Sequence, residues 1–181
     1  MPALASLAVM RAAVYQEMGA ARDVLRVEEV GRPEPGPGEV LVRVHASGVN
    51  PTDFKARGGT TARPIDGFQI PHQDGAGVIE AVGPSVDPAR VGERVWVWVA
   101  AHRRRWGTVA EYTVVPSRQA VPLPGGTSFE LGASLGVPAM TAHRCLFADG
   151  PVAGKTVLVA AGRARWAISR SSWRNGRALA W

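Results

Sequence analysis

The sequence predicts a mainly β fold with helices: a small β-barrel or sandwich, then linking helices and only the first strand of an α/β domain. Three observations carry this. From residue 11 to about 122 the chain is made of short β-type runs separated by Gly and Pro. Beyond Pro124 the apolar spacing becomes helical. Residues 155–160 (KTVLVA) then form the near-continuous apolar run of a strand buried on both faces of a parallel sheet.

Taken in order, residues 12–15 and 25–29 read as a first pair of strands. Residues 31–38 (GRPEPGPG) cannot be regular structure, since proline lacks the amide donor and glycine is costly to order. Residues 39–44 (EVLVRV) alternate strictly, with Val40, Val42 and Val44 on one face and Leu41 and Arg43 on the other. Residues 77–82, 94–99 and 109–115 are further strands, and this spacing of short strands argues a barrel or sandwich. Thr127-Ser128-Phe129-Glu130 is a capping-box signature, with Thr127 as N-cap of a helix reaching about Leu135. Pro138 stops that helix and suits the first turn of another over 139–147. Asp149-Gly150-Pro151 is a turn leading into the apolar strand.

Composition narrows the function classes. The net charge of +6 invites a nucleic-acid reading. Residues 163–181, however, hold five arginines and no acid, and removing them from 21 basic residues leaves 16 against 15 acidic ones. The basicity therefore belongs to the tail, and the body carries no nucleic-acid footprint. No run approaches the roughly 18 apolar residues of a membrane helix, so no membrane role is expected. The single cysteine, Cys145, excludes a disulfide framework and reads as a buried thiol in an apolar helix. A cytoplasmic home fits. Residues 1–9 lack a basic n-region and read as an N-terminal extension ahead of a start at Met10.

Six segments then point to one family: 33–44 (PEPGPGEVLVRV), 47–53 (SGVNPTD), 71–83 (PHQDGAGVIEAVG), 91–95 (VGERV), 107–114 (GTVAEYTV) and 136–146 (GVPAMTAHRCL). In order and spacing they resemble the medium-chain dehydrogenase/reductase superfamily, in its zinc-independent quinone oxidoreductase (zeta-crystallin-like) branch. The resemblance spans about residues 10–162. It implies a GroES-like β-barrel as the substrate-side domain over 10–124. Linking helices and the first strand of a Rossmann domain follow over 125–162. It also implies hydride transfer from NADPH, or NADH, to a quinone or enone, with the full-length relatives pairing as homodimers.

Zinc-dependent members of that superfamily place a thiolate where Asn50 stands and His-Glu where this chain has Gln73-Asp74. Neutral amides are poor zinc ligands, and the four histidines never fall at metal spacing, so no zinc is expected. A lone His72 before Gly75-Ala76-Gly77 reads as a hydrogen-bonding or packing residue. By resemblance, Asn50 and Asp53 lie beside the nicotinamide end of the cofactor and Thr141 offers a hydroxyl to a ribose. Each also admits a structural role: Asn50-Pro51 as a turn and helix start, Asp53 as a cap or ion-pair partner, Thr141 bonding back within its helix. The HRRRW loop at 102–106 reads as a solvated loop, with attraction of an anionic group as the sharper alternative.

A nicotinamide-binding domain needs a Gly-rich turn opening a helix after its first strand, because glycines let the backbone approach the pyrophosphate. Here Ala161-Gly162 is followed by Arg163, Arg165 and Trp166 where small residues are required. Residues 163–181 therefore read as a non-family tail, and a shifted reading frame would account for it. Two readings of function follow. One is a fragment of a zinc-independent NAD(P)H-dependent oxidoreductase with little or no activity of its own. The other is a stand-alone β-barrel module binding a small ligand or partner, with a basic Arg/Trp tail.

Overall fold

The computed structural model describes residues 8–61 and 64–158. The chain opens with β1 (Val9–Val14), the single-turn α1 (Ala21–Val24) and β2 (Arg26–Gly31). β1 and β2 pair antiparallel, Val14 opposite Arg26, as the sequence predicts. The Gly/Pro stretch at 32–38 is irregular, after which come β3 (Glu39–Gly48), α2 (Pro51–Arg57), β4 (Asp74–Val82) and β5 (Arg94–Val97). β6 (Tyr112–Pro116), β7 (Ala120–Pro122), α3 (Phe129–Gly132) and α4 (Met140–Phe147) complete the strands and α-helices among the described residues.

Five strands form one antiparallel sheet in the order β6-β3-β4-β5-β7. A core of Val40, Val42, Ile79, Val95, Val97 and Val115 lies against it, all 1% exposed or less. The alternation of 39–44 predicts this for Val40 and Val42, whereas Val44 is only half-buried. Leu41, on the opposite face, is buried as well. A second core of Met10, Ala12, Val14 and Ile70 sits under β1. The pairing Ala12–Ala110 stitches the two sheets together.

Four expectations need correction. No closed barrel forms among the described residues: β6 and β7 remain edges, and closure requires the first and last strands to pair. The helix cap falls on Ser128, not Thr127, with Ser128 Oγ accepting from Leu131 N at 3.2 Å. That helix ends at Gly132, and Pro138 lies inside a wide turn (Leu135–Ala139) leading into α4. Cys145 is exposed, because α4 buries Ala142 and Leu146 and position 145 lies off that stripe.

Residues 155–158 form no ladder with any described strand, and Leu158 is 90% exposed. A strand of that apolar type needs neighbours on both sides. The end of the predicted strand (159–160), the turn after it, the tail at 163–181 and the extension at 1–7 lie outside the described residues. No helix among the described residues is long and apolar enough to cross a membrane.

Candidate functional site

Where β1, α2 and the loops flanking β4 meet, they enclose a cleft of about 290 Å³. Tyr15, Asp53, His72, Gln73, His102 and Val137 are among its walls. Each arrives by a local reason. Tyr15 ends β1 and is pinned by a two-way backbone pairing with Gln69 (Tyr15 N to Gln69 O 3.0 Å, Gln69 N to Tyr15 O 2.9 Å). Pro51 at the first position of α2 pre-sets the helical φ, and Asn50 precedes it in extended geometry as the N-cap. Asp53, at the third helical position, reaches back so that its Oδ2 accepts from Asn50 N at 2.7 Å. The structural roles open to Asn50-Pro51 and Asp53 are therefore both present.

The side chain of Asn50 does something the sequence does not disclose. It is 3% exposed, and its Nδ2 donates to Asp74 Oδ2 at 2.7 Å. The same oxygen accepts from Val137 N at 2.8 Å. Asp74, 1% exposed, thus joins the start of α2 to the turn that carries Val137 into the cleft. Gly136 is required here: a Cβ on it would collide with the Asp74 carboxylate, and its ψ of −106° lies outside the helical range. These partners lie 24 and 63 residues from Asp74, so no local motif announces them.

A second chain of bonds runs behind His72. Its Nδ1 lies 2.9 Å from Ser47 Oγ, Ser47 Oγ lies 2.8 Å from Thr108 Oγ1, and Thr108 Oγ1 donates to Asp74 O at 2.6 Å. His72 has φ +74°, a left-handed conformation rare outside glycine, and its carbonyl accepts from Thr108 N at 3.2 Å. The register shifts in β3 between Leu41 and Val42 and between Val44 and Ala46 lie just before the Ser47 end of this chain.

Electrostatically the cleft favours neutral forms. Burial pushes the Asp53 carboxyl up to about 6, aided by the nearby Asp74 charge and opposed by the backbone N–H groups of Asn50 and Gln73. Burial also raises the Tyr15 phenol, with the Arg57 charge opposing, and lowers the His72 imidazole. The Gln73 side-chain oxygen is buried with no hydrogen-bond partner among the described residues.

Of the residues the sequence singled out, the structure brings Asn50 and Asp53 together and places only Asp53 in the cleft wall. Thr141 stands exposed on α4, one turn beyond Val137, and does not line the cleft. The HRRRW loop is largely spoken for: Arg104 pairs with Glu39 at 3.2 Å and Arg105 with Asp66 at 2.6 Å, leaving Arg103 exposed. Ser47, Asp74, Thr108 and Val137 carried no signal of their own in the sequence.

Comparison with known proteins finds quinone oxidoreductases among the relatives and solved structures this chain resembles. The alcohol dehydrogenase GroES-like domain family matches residues 36–125. The quinone oxidoreductase of Lama guanicoe is 37% identical over 152 residues, covering 83% of this chain and 45% of that protein. A mycobacterial quinone oxidoreductase structure superposes with TM-score 0.80 and 33% identity over 91% of this chain and 49% of that one. A mycobacterial structure complexed with NADPH gives TM-score 0.77 and 32% identity over 91% of this chain and 48% of that one. The chain thus spans about half the length of the relatives it matches.

Proposed function

Because this chain belongs to the quinone oxidoreductases of the medium-chain dehydrogenase/reductase superfamily and carries their GroES-like domain, we propose that it forms the acceptor side of a zinc-independent, NADPH-dependent reductase of quinones or enones. The observation that carries the reading is the cleft wall. Apolar Met18, Ile65 and Val137 face a few polar groups, among them Asp53, whose charged form burial disfavours, which suits a flat, electron-poor ring better than a charged substrate.

Zinc independence is supported by the donor set. Asn50, where the zinc-dependent relatives carry a thiolate, has its amide committed to Asp74, and Gln73 offers only a neutral amide. Among the described residues, no three His, Cys, Asp or Glu side chains converge as a metal would need. The reduced nicotinamide, when bound, supplies the hydride. Thr141, exposed on α4, offers its hydroxyl to the ribose. Asn50 acts through others, holding Asp74 and hence Val137 in place, while Asp53 contributes to the wall itself. Turnover by these residues alone is expected to be slight, because more than half the length of the relative lies outside the matched region.

The test is binding of duroquinone, a fully substituted quinone that cannot add to Cys145, followed by NMR together with metal analysis of the purified protein. Saturable binding that shifts Val137 and Gln73, and is lost in Val137→Trp, is the expected result. Stoichiometric zinc, or no binding of duroquinone at the cleft, would overturn the proposal.

A further inference from the structure

The hydroxyl chain behind His72 has only one consistent direction. The carbonyl of Asp74 cannot donate, so the Thr108 hydroxyl hydrogen is committed to it at 2.6 Å. Thr108 Oγ1 must therefore accept at its 2.8 Å contact with Ser47 Oγ, which spends the Ser47 hydrogen. Ser47 Oγ is left as an acceptor, and the 2.9 Å contact requires the proton to sit on His72 Nδ1. In the neutral ring Nε2 then carries a lone pair, and in the imidazolium Nε2 is the nitrogen that gains and loses the proton. Nε2 makes no hydrogen bond among the described residues, and His72 lines the cleft.

A second, independent observation concerns the backbone. A histidine at φ +74° is strained, and strain of this kind gathers where a side chain must be aimed. Glycine would relieve it and lose the ring. Burial lowers the imidazole from its ordinary value, which favours the neutral ring and makes its charged form a stronger acid.

From this geometry we propose that His72 is the proton-exchanging group of the cleft, offering Nε2 to the hydroxyl of a hydroquinone- or enol-type ligand. The proposal rests on the reading of the cleft as an acceptor site. Hydride supplied by a bound reduced nicotinamide would leave the acceptor with an anionic oxygen, and His72 is placed to protonate it. The Nε2–H bond of the imidazolium breaks, an O–H bond forms on that oxygen, and the ring returns to its neutral Nδ1–H form, still bonded to Ser47. Solvent at the cleft mouth restores the proton. The other titratable groups of this region are Tyr15 after β1, Asp53 on α2 and His102 in the loop after β5, with Asp74 of β4 behind the ring.

The test uses the full chain with side-chain nitrogen NMR of His72 and anaerobic titrations with duroquinone and its hydroquinone. The expected resting state has a protonated Nδ1 and a bare Nε2, a preference that weakens in Ser47→Ala. Lowering the pH through the His72 titration should weaken hydroquinone binding roughly three- to tenfold, the worth of one hydrogen bond, and strengthen quinone binding comparably. Both dependences should persist in Asp53→Asn, whose own titration is thereby removed, and vanish in His72→Gly, which the left-handed backbone accommodates. A resting Nε2–H tautomer overturns the inference alone. So does hydroquinone binding that shifts Val137 while His72 and the pH dependence stay unmoved. Failure of both ligands to bind overturns the acceptor-site reading together with it.

Discussion

Replacing Asp74 with alanine should be among the most damaging single changes in this chain that leave its apolar core intact. One carboxylate oxygen receives two donors, the buried Asn50 Nδ2 at 2.7 Å and the half-buried Val137 N at 2.8 Å. Hydrogen bonds to a charged group are worth about 1.5–3 kcal/mol each net, and deletion leaves the Asn50 amide donor stranded away from water. The expected loss is therefore about 3–5 kcal/mol, a large part of the roughly 5–15 kcal/mol that folds a domain. Relief of the repulsion that Asp74 exerts on Asp53 offsets a little of it. Asp74→Asn keeps one acceptor and should lose about half as much. The assay is urea denaturation followed by tryptophan fluorescence and circular dichroism, on both variants and in a double-mutant cycle with Asn50→Ala. A coupling of at least about 1 kcal/mol is expected for residues sharing one bond. If Asp74→Ala costs under about 1 kcal/mol, or the two changes simply add, the clasp does not hold the site together.

Three further outcomes follow from single observations. Asp53 is raised from 3.8 to about 6 on folding, so its protonated form is favoured in the folded chain; that contribution is complete below about pH 4 and is lost as pH rises through about 6. The difference between the pH–stability curves of the wild type and Asp53→Asn should slope downward across that window, and a flat difference would remove the burial argument. Gly77→Ala should destabilise by about 1–3 kcal/mol or more, since a Cβ there would run into the Arg43 carbonyl across the β3–β4 ladder; equal urea midpoints would contradict this. Cys145 should react with Ellman's reagent in the native protein at a rate near that of a free thiol, and a need for denaturant would refute its exposure on α4.

Local rules explain which parts of the molecule were readable. Strict alternation marked β3, Asn50-Pro51 marked the start of α2, and apolar runs between turn residues marked β4 and β5 within a few residues. The helix cap slipped from Thr127 to Ser128 because either adjacent hydroxyl can cap a helix start and only backbone geometry chooses between them. Cys145 was misplaced because a helix sequence does not say which stripe it buries until the rest of the fold packs against it. Asp53 was legible as a cap, since its partner is three residues away.

By itself, then, the sequence determined most of the strands, the family motifs and the neutral amide at position 50, which are read from neighbours a few residues apart. What only the tertiary structure decided was the site: Asp74 bonded to residues 24 and 63 positions distant, and Ser47, His72 and Thr108 aligned across 61 positions into one directed chain. A hydrogen bond's direction depends on where every donor in the chain is already spent, and folding is what brings those donors together.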